Sequence, residues 1–199
     1  MNKLLIILFL LSSSLSAFTF DIWESSISLN KAISIAKQEN IPLAKDAVAH
    51  VSKEFHQKLL YLNKAPNNRV FYYKSKLLGE FSRVDLYFTE KSKKLYKIKI
   101  RWNLLGKKHK DFKENLYKLL DTKYGNRDIV IPSSFGEFVL FEKREWTSTK
   151  NTTIQTKSST NGIEVVYIDT VELINNEDEK KTKERKKELE FLKKDSQKF

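Results

Sequence analysis

The chain is 199 residues long and carries 37 Lys and Arg against 25 Asp and Glu, a formal charge of +12 at pH 7. It contains no cysteine, which excludes disulfide staples, structural thiolate metal sites, thiol catalysis and a lipid-modified N-terminal cysteine. So basic a balance directs attention to anionic partners, although solubility alone is a sufficient account of it.

The first element is a leader. Met1-Asn2-Lys3 is a short positive segment, residues 4–11 are an apolar run of eight, and Ser12-Ser13-Ser14-Leu15-Ser16-Ala17 supplies small residues for cleavage. This is the organisation of a secretory signal peptide. The run is too short to span a bilayer, which takes roughly 17–25 residues. We place the cut after Ala17, with a cut after Ser16 and an uncleaved anchor as the alternatives. Cleavage removes Lys3 and no acid, leaving +11. An exported protein meets lipid headgroups, wall polymers and acidic proteins before it meets nucleic acid. The expected partner is therefore an anionic envelope component or a protein, in the periplasm or outside the cell, and nucleic acid is disfavoured. After cleavage no later segment is long and apolar enough to be read as a transmembrane span.

Residues 18–174 are read as one α+β domain, a length that suffices to bury a substantial core. Residues 28–40 put Leu29, Ala32, Ile33 and Ala36 on one helical stripe, with Ser28 as N-cap and Pro42 beyond the end. Residues 43–62 fit a second helical face through Ala47, Val48, Val51, Phe55, Leu59 and Leu62, although Val48 and Val51 suit a strand equally. The period then changes to two. Residues 70–78, 81–89 and 95–102 read as strands, the last with Tyr96, Ile98, Ile100 and Trp102 inward and Lys97, Lys99 and Arg101 outward. Residues 110–124 form a helix with the stripe Phe112, Leu116, Leu119 and Leu120, Asp111 in its first turn and Gly125 as its C-cap. Strands return at 137–146, 152–157 and 163–173, the last two joined through Asn161-Gly162, a hairpin signal. The sum is an antiparallel sheet of about six strands with helices packed on one face. Residues 175–199 carry nine basic and seven acidic side chains and read as a charged helical or disordered tail. Glu177–Lys181, Glu179–Lys183 and Glu190–Lys194 support it as i,i+4 pairs, and Leu189 and Leu192 are the anchors available should it dock on a partner.

The stretch Leu77-Leu78-Gly79, the strands Val84-x-Leu86-Tyr87-Phe88-Thr89 and Leu95-Tyr96-x-Ile98-x-Ile100-x-Trp102, and the helix end Lys123-Tyr124-Gly125 resemble a module of small, mostly uncharacterised exported bacterial proteins. In those a hairpin feeds a helix closed by Tyr-Gly, and further strands follow. The resemblance spans about residues 77–173 and implies the fold. It implies no catalytic residue.

Chemistry-bearing motifs are missing: there is no G-x-S-x-G elbow, H-E-x-x-H, P-loop or G-x-G-x-x-G. The five glycines are too scattered to cradle a phosphate and suit turns and helix ends. His50, Glu54 and His56 form the densest titratable cluster, with Asp46 nearby. On a helix His50 and Glu54 share a face that His56 leaves, so exposed histidines are preferred to a metal site. His109 belongs to the basic stretch Gly106-Lys107-Lys108-His109-Lys110. Ser133 and Ser134 have no identifiable triad partners, and Trp23, Trp102 and Trp146 are assigned to packing before any ligand cleft. In a eukaryotic secretory pathway Asn151-Thr152-Thr153 is a glycan acceptor. No catalytic, cofactor-binding or metal-ligating residue is assigned. The residues singled out for contact with an anionic surface are Lys97, Lys99, Arg101, Lys107, Lys108 and Lys110. The expectation is a non-enzymatic periplasmic binding or adaptor module, and the alternative is a hydrolase whose site no motif reveals.

Overall fold

The computed structural model describes residues 18–45, 69–125, 129–135, 138–149, 151–160 and 162–196. In chain order the elements are β1 (Thr19–Phe20), β2 (Trp23–Glu24), α1 (Leu29–Gln38), β3 (Ala44–Lys45), β4 (Val70–Leu77), β5 (Glu80–Phe88) and β6 (Leu95–Trp102). Then follow α2 (Gly106–Tyr124), β7 (Ile129–Phe135), β8 (Phe138–Thr149), β9 (Thr152–Ser159), β10 (Gly162–Asp169) and α3 (Thr170–Ser196). The fold is α+β: one antiparallel sheet in the order β3-β4-β5-β6-β10-β9-β8-β7, with a small β1–β2 hairpin and helices over it. The six segments read as strands are the six interior positions. The two edges, β3 and β7, complete the sheet to eight.

Register shows why alternation was informative. Val84, Ile100 and Val165 stand side by side, as do Leu86, Ile98, Tyr167, Ile154 and Trp146. Cross-strand partners share a face, so these rows form one continuous apolar surface, buried throughout. α1 lies on it through Leu29, Ala32 and Ala36, with Ser28 Oγ accepting the Lys31 N–H at 3.2 Å as N-cap. The β1–β2 hairpin adds Trp23, whose indole N–H donates to the Tyr73 hydroxyl at 2.9 Å. Burial pushes the Tyr73 pKa up to about 12. α2 packs through Phe112, 5.2 Å from Trp102, and Tyr117, 6.1 Å from Trp146. All three tryptophans are core.

Several boundaries differ from the sequence reading. The register shifts after Tyr87, so Phe88 faces Leu95 and Tyr96 becomes the extra residue of a bulge. Leu95 takes the inward place expected of Tyr96. The helix expected from residue 43 is at Ala44–Lys45 a strand paired with Phe71 and Tyr72, and the rest of it lies outside the described residues. α2 starts at Gly106, which moves Asp111 out of the first turn, and it buries Tyr117 while leaving Leu119 exposed. The helix is rolled toward β8, where the Arg144 guanidinium sits 3.8 Å from the Tyr117 ring centroid. The strand expected over 163–173 stops at Asp169, whose carboxylate accepts the Glu172 N–H at 3.0 Å and starts α3. Gly162, in the expected Asn-Gly turn, has φ +145, and a Cβ there would stand 2.2 Å from the Trp102 carbonyl oxygen. Among the described residues no helix is long and apolar enough to cross a membrane.

Candidate functional site

The outer face of β4, β5, β6 and β10 carries the charge. Arg83 and Arg101 stand directly opposite each other across the β5–β6 ladder, a repulsive pairing in itself. Asp85 resolves it. Its side chain is 1% exposed, one oxygen accepts from Arg83 Nε at 2.6 Å, and the other accepts from Arg101 Nη2 at 2.6 Å. Arg83 also lies 4.0 Å above the Tyr72 ring. Next along, Lys99 pairs with Glu164 at 2.8 Å. Lys97 rests its ammonium 4.0 Å from the Tyr87 ring centroid. Burial, reinforced by the neighbouring Lys99 charge, holds the Lys97 pKa below the usual lysine value, and burial raises Tyr87. Arg101 Nε is buried without a hydrogen-bond partner among the described residues.

The six residues singled out from the sequence divide into two groups. Lys97, Lys99 and Arg101 point outward from β6, where each already has an aromatic or carboxylate neighbour. Lys107, Lys108 and Lys110 lie in the first turns of α2, a helix that covers the opposite, inner face. The α2 group reaches the β4–β5 end of the sheet. There Lys108 reaches Glu80 at 2.7 Å, and the Trp102 indole N–H donates to the Leu77 carbonyl at 3.3 Å. At this end a groove of about 530 Å³ opens on the outer face, lined by Lys74, Phe81, Ser82, Arg83, Arg101 and Asn103. Its rim carries side chains that alternation alone did not single out. Phe81 is 81% exposed, and Leu78 in the β4–β5 turn is 53% exposed.

The other end of the sheet is closed by α3. Asn176 accepts the Glu90 N–H at 2.9 Å, and the two Glu179 oxygens accept the Lys91 and Ser92 N–H groups at 2.6 and 3.2 Å. Lys183 bonds to Glu90, which Arg69 also pairs at 3.0 Å. Glu179 and Lys183, expected as an intrahelical pair, are thus both engaged with the β5–β6 turn. Behind them is a second cationic groove of about 660 Å³, whose lining includes Arg69, Lys91, Lys93, Lys183 and Lys186 with Glu90 among them. The Asp169-x-x-Glu172 capping box was the readable sign that a helix starts here.

Catalytic constellations are sparse. Ser158 Oγ and His109 Nε2 are 3.3 Å apart, but Ser158 is 5% exposed and lies on the inner face under α2. No group of three His, Cys, Asp or Glu suited to a metal occurs among the described residues. The cluster His50, Glu54, His56 and Asp46 lies outside them, as do residues 1–17. Ser133 and Ser134 are in β7, paired with β8. No protein family matches this chain, and neither curated proteins nor solved structures give a significant match.

Proposed function

We propose that this protein is an exported, non-enzymatic binding or adaptor module that takes an anionic component of the cell envelope, or an acidic protein partner, at the open end of its outer sheet face. The observation that carries this reading is the groove lined by Lys74, Arg83 and Arg101 beside the exposed Phe81. Fixed cations next to an aromatic face give an anion both charge and an apolar contact. The leader-like residues 1–17, the charge of +12 and the likeness to small exported proteins support the compartment. Measuring the retention of purified protein on cell-envelope fractions across a salt series tests it. We expect binding that weakens as salt rises and is reduced several-fold by Lys74→Glu, an exposed position. Absence of retention, or retention indifferent to both salt and Lys74→Glu, overturns the reading.

A hydrolase is the second reading, and Ser158–His109 is the observation in its favour. It requires α2 to lift from β9 before Ser158 meets a substrate. Labelling by an activity-based fluorophosphonate, abolished by Ser158→Ala, would establish it. An unlabelled protein removes it.

A further inference from the structure

Local rules of chain folding are broken twice at the same end of the molecule. The β4–β5 connection is a two-residue turn, Leu78-Gly79, between the paired Leu77 and Glu80. Both central residues have positive φ, +54 at Leu78 and +82 at Gly79. That geometry favours Asn-Gly, and a leucine held there is strained. No burial compensates it, since Leu78 is 53% exposed. The second breach is at the start of α2. Its N-cap is Leu105, which offers no capping side chain, and the first turn holds no acid. Lys107 and Lys108 stand instead at the positive end of the helix dipole. Leu105 is 69% exposed. Strain that packing does not explain is characteristic of functional sites.

The two breaches are adjacent. β5 starts where β6 ends, and the Lys108–Glu80 pair ties the α2 start to the β4–β5 turn. The end of the molecule therefore presents three large apolar side chains, Leu78, Phe81 and Leu105, flanked by the exposed Lys74, Lys76 and Lys107. We infer that this tip docks on an anionic lipid bilayer. The leucines and the phenylalanine enter the headgroup–acyl boundary, and the lysines and N-terminal N–H groups of α2 meet lipid phosphates. A bilayer accounts for both halves of the surface at once: apolar depth accepts the leucines, and phosphate charge accepts lysines placed where the helix dipole opposes them. The inference rests on the proposed binding function and narrows its envelope component to the lipid surface.

The test is co-sedimentation of the protein, as exported and processed by the cell, with phosphatidylcholine vesicles and with vesicles of phosphatidylcholine plus phosphatidylglycerol. Salt-sensitive binding to the anionic vesicles, at least ten-fold above the neutral ones, is expected. Leu78→Asn relieves the strained turn, so it should raise the melting temperature by a few degrees while lowering vesicle binding several-fold. Phe81→Ser should lower binding at least as much with an unchanged melting temperature. If both variants sediment like wild type, or if neutral vesicles bind equally well, the tip is not a membrane-docking surface. If vesicles fail to bind but salt-sensitive retention on envelope proteins persists, the bilayer inference falls and the binding function stands. If neither binds, both fall.

Discussion

The two ends of the sheet contrast in how they treat their own backbone. At the α3 end the donors of the β5–β6 turn meet Asn176 and Glu179, Asp169 caps α3 by accepting the Glu172 N–H, and the Glu172 carboxylate accepts from Ser26 and Lys94. At the opposite end a leucine occupies a left-handed turn position, and α2 starts on another leucine with lysines in its first turn. The α3 end commits polar side chains to its turn donors, although cations also line a groove there, whereas the other end leaves Leu78, Phe81 and Leu105 exposed beside lysines. The contrast accords with the docking proposed for the Leu78 and Leu105 end, where Asn, Ser or Asp would be the locally preferred residues.

Substitutions at the satisfied end should have the largest effect on stability. Asp169→Ala with Glu172→Ala removes the α3 cap and the acceptor of the part-buried Ser26 hydroxyl, so equilibrium unfolding should show a loss of roughly 2 kcal/mol. Vesicle binding should survive it. The exposed end responds in the reverse sense: Leu78→Asn should gain about 1 kcal/mol in urea unfolding. Leu105→Ser supplies the missing N-cap and should add about 1 kcal/mol, with slower amide exchange in the first turn of α2. A loss of stability in either variant would remove the contrast.

Acidification should act at the α3 end, with the smallest effect. Burial would raise the Glu179 pKa, but the Lys91 and Ser92 N–H donors outweigh it and hold the carboxyl low. Glu90 is lowered chiefly by its bond to Lys183. A carboxyl whose pKa is depressed on folding contributes stability above its ordinary range and loses it as pH falls through the folded-state value. Amide protection at Lys91 and Ser92 should therefore decline below the usual carboxylate range while the core strands keep theirs. Protection unchanged there would mean that Glu179 does not secure the turn.

Much of the fold was legible because period-two alternation reports a one-sided sheet whatever the strand order. The six interior strands, the Ser28 cap of α1 and the Gly125 end of α2 all followed from residue type and spacing. The edges did not. β3 is two residues long and β7 carries Pro132, so neither shows enough alternation to read. The candidate site was legible only in part. The lysines of β6 and α2 were evident as charges, but their partners Asp85, Glu164 and Glu80 are set by register and by how α2 crosses the sheet.

By itself the sequence determined the elements, the one-sided core and the excess of positive charge, because these depend on residue type and local period. The tertiary structure alone decided which charges are spent on neighbours and which face outward. Arg101 is a free cation in the sequence and the partner of a buried Asp85 in the fold. Leu78 and Leu105 are 27 positions apart and read as ordinary apolar residues in the chain. They come to the same end of the molecule only because β5 runs back along β4, β6 along β5, and α2 starts at the end where the β4–β5 turn stands. Pairing between distant segments creates that juxtaposition, and no local preference encodes it.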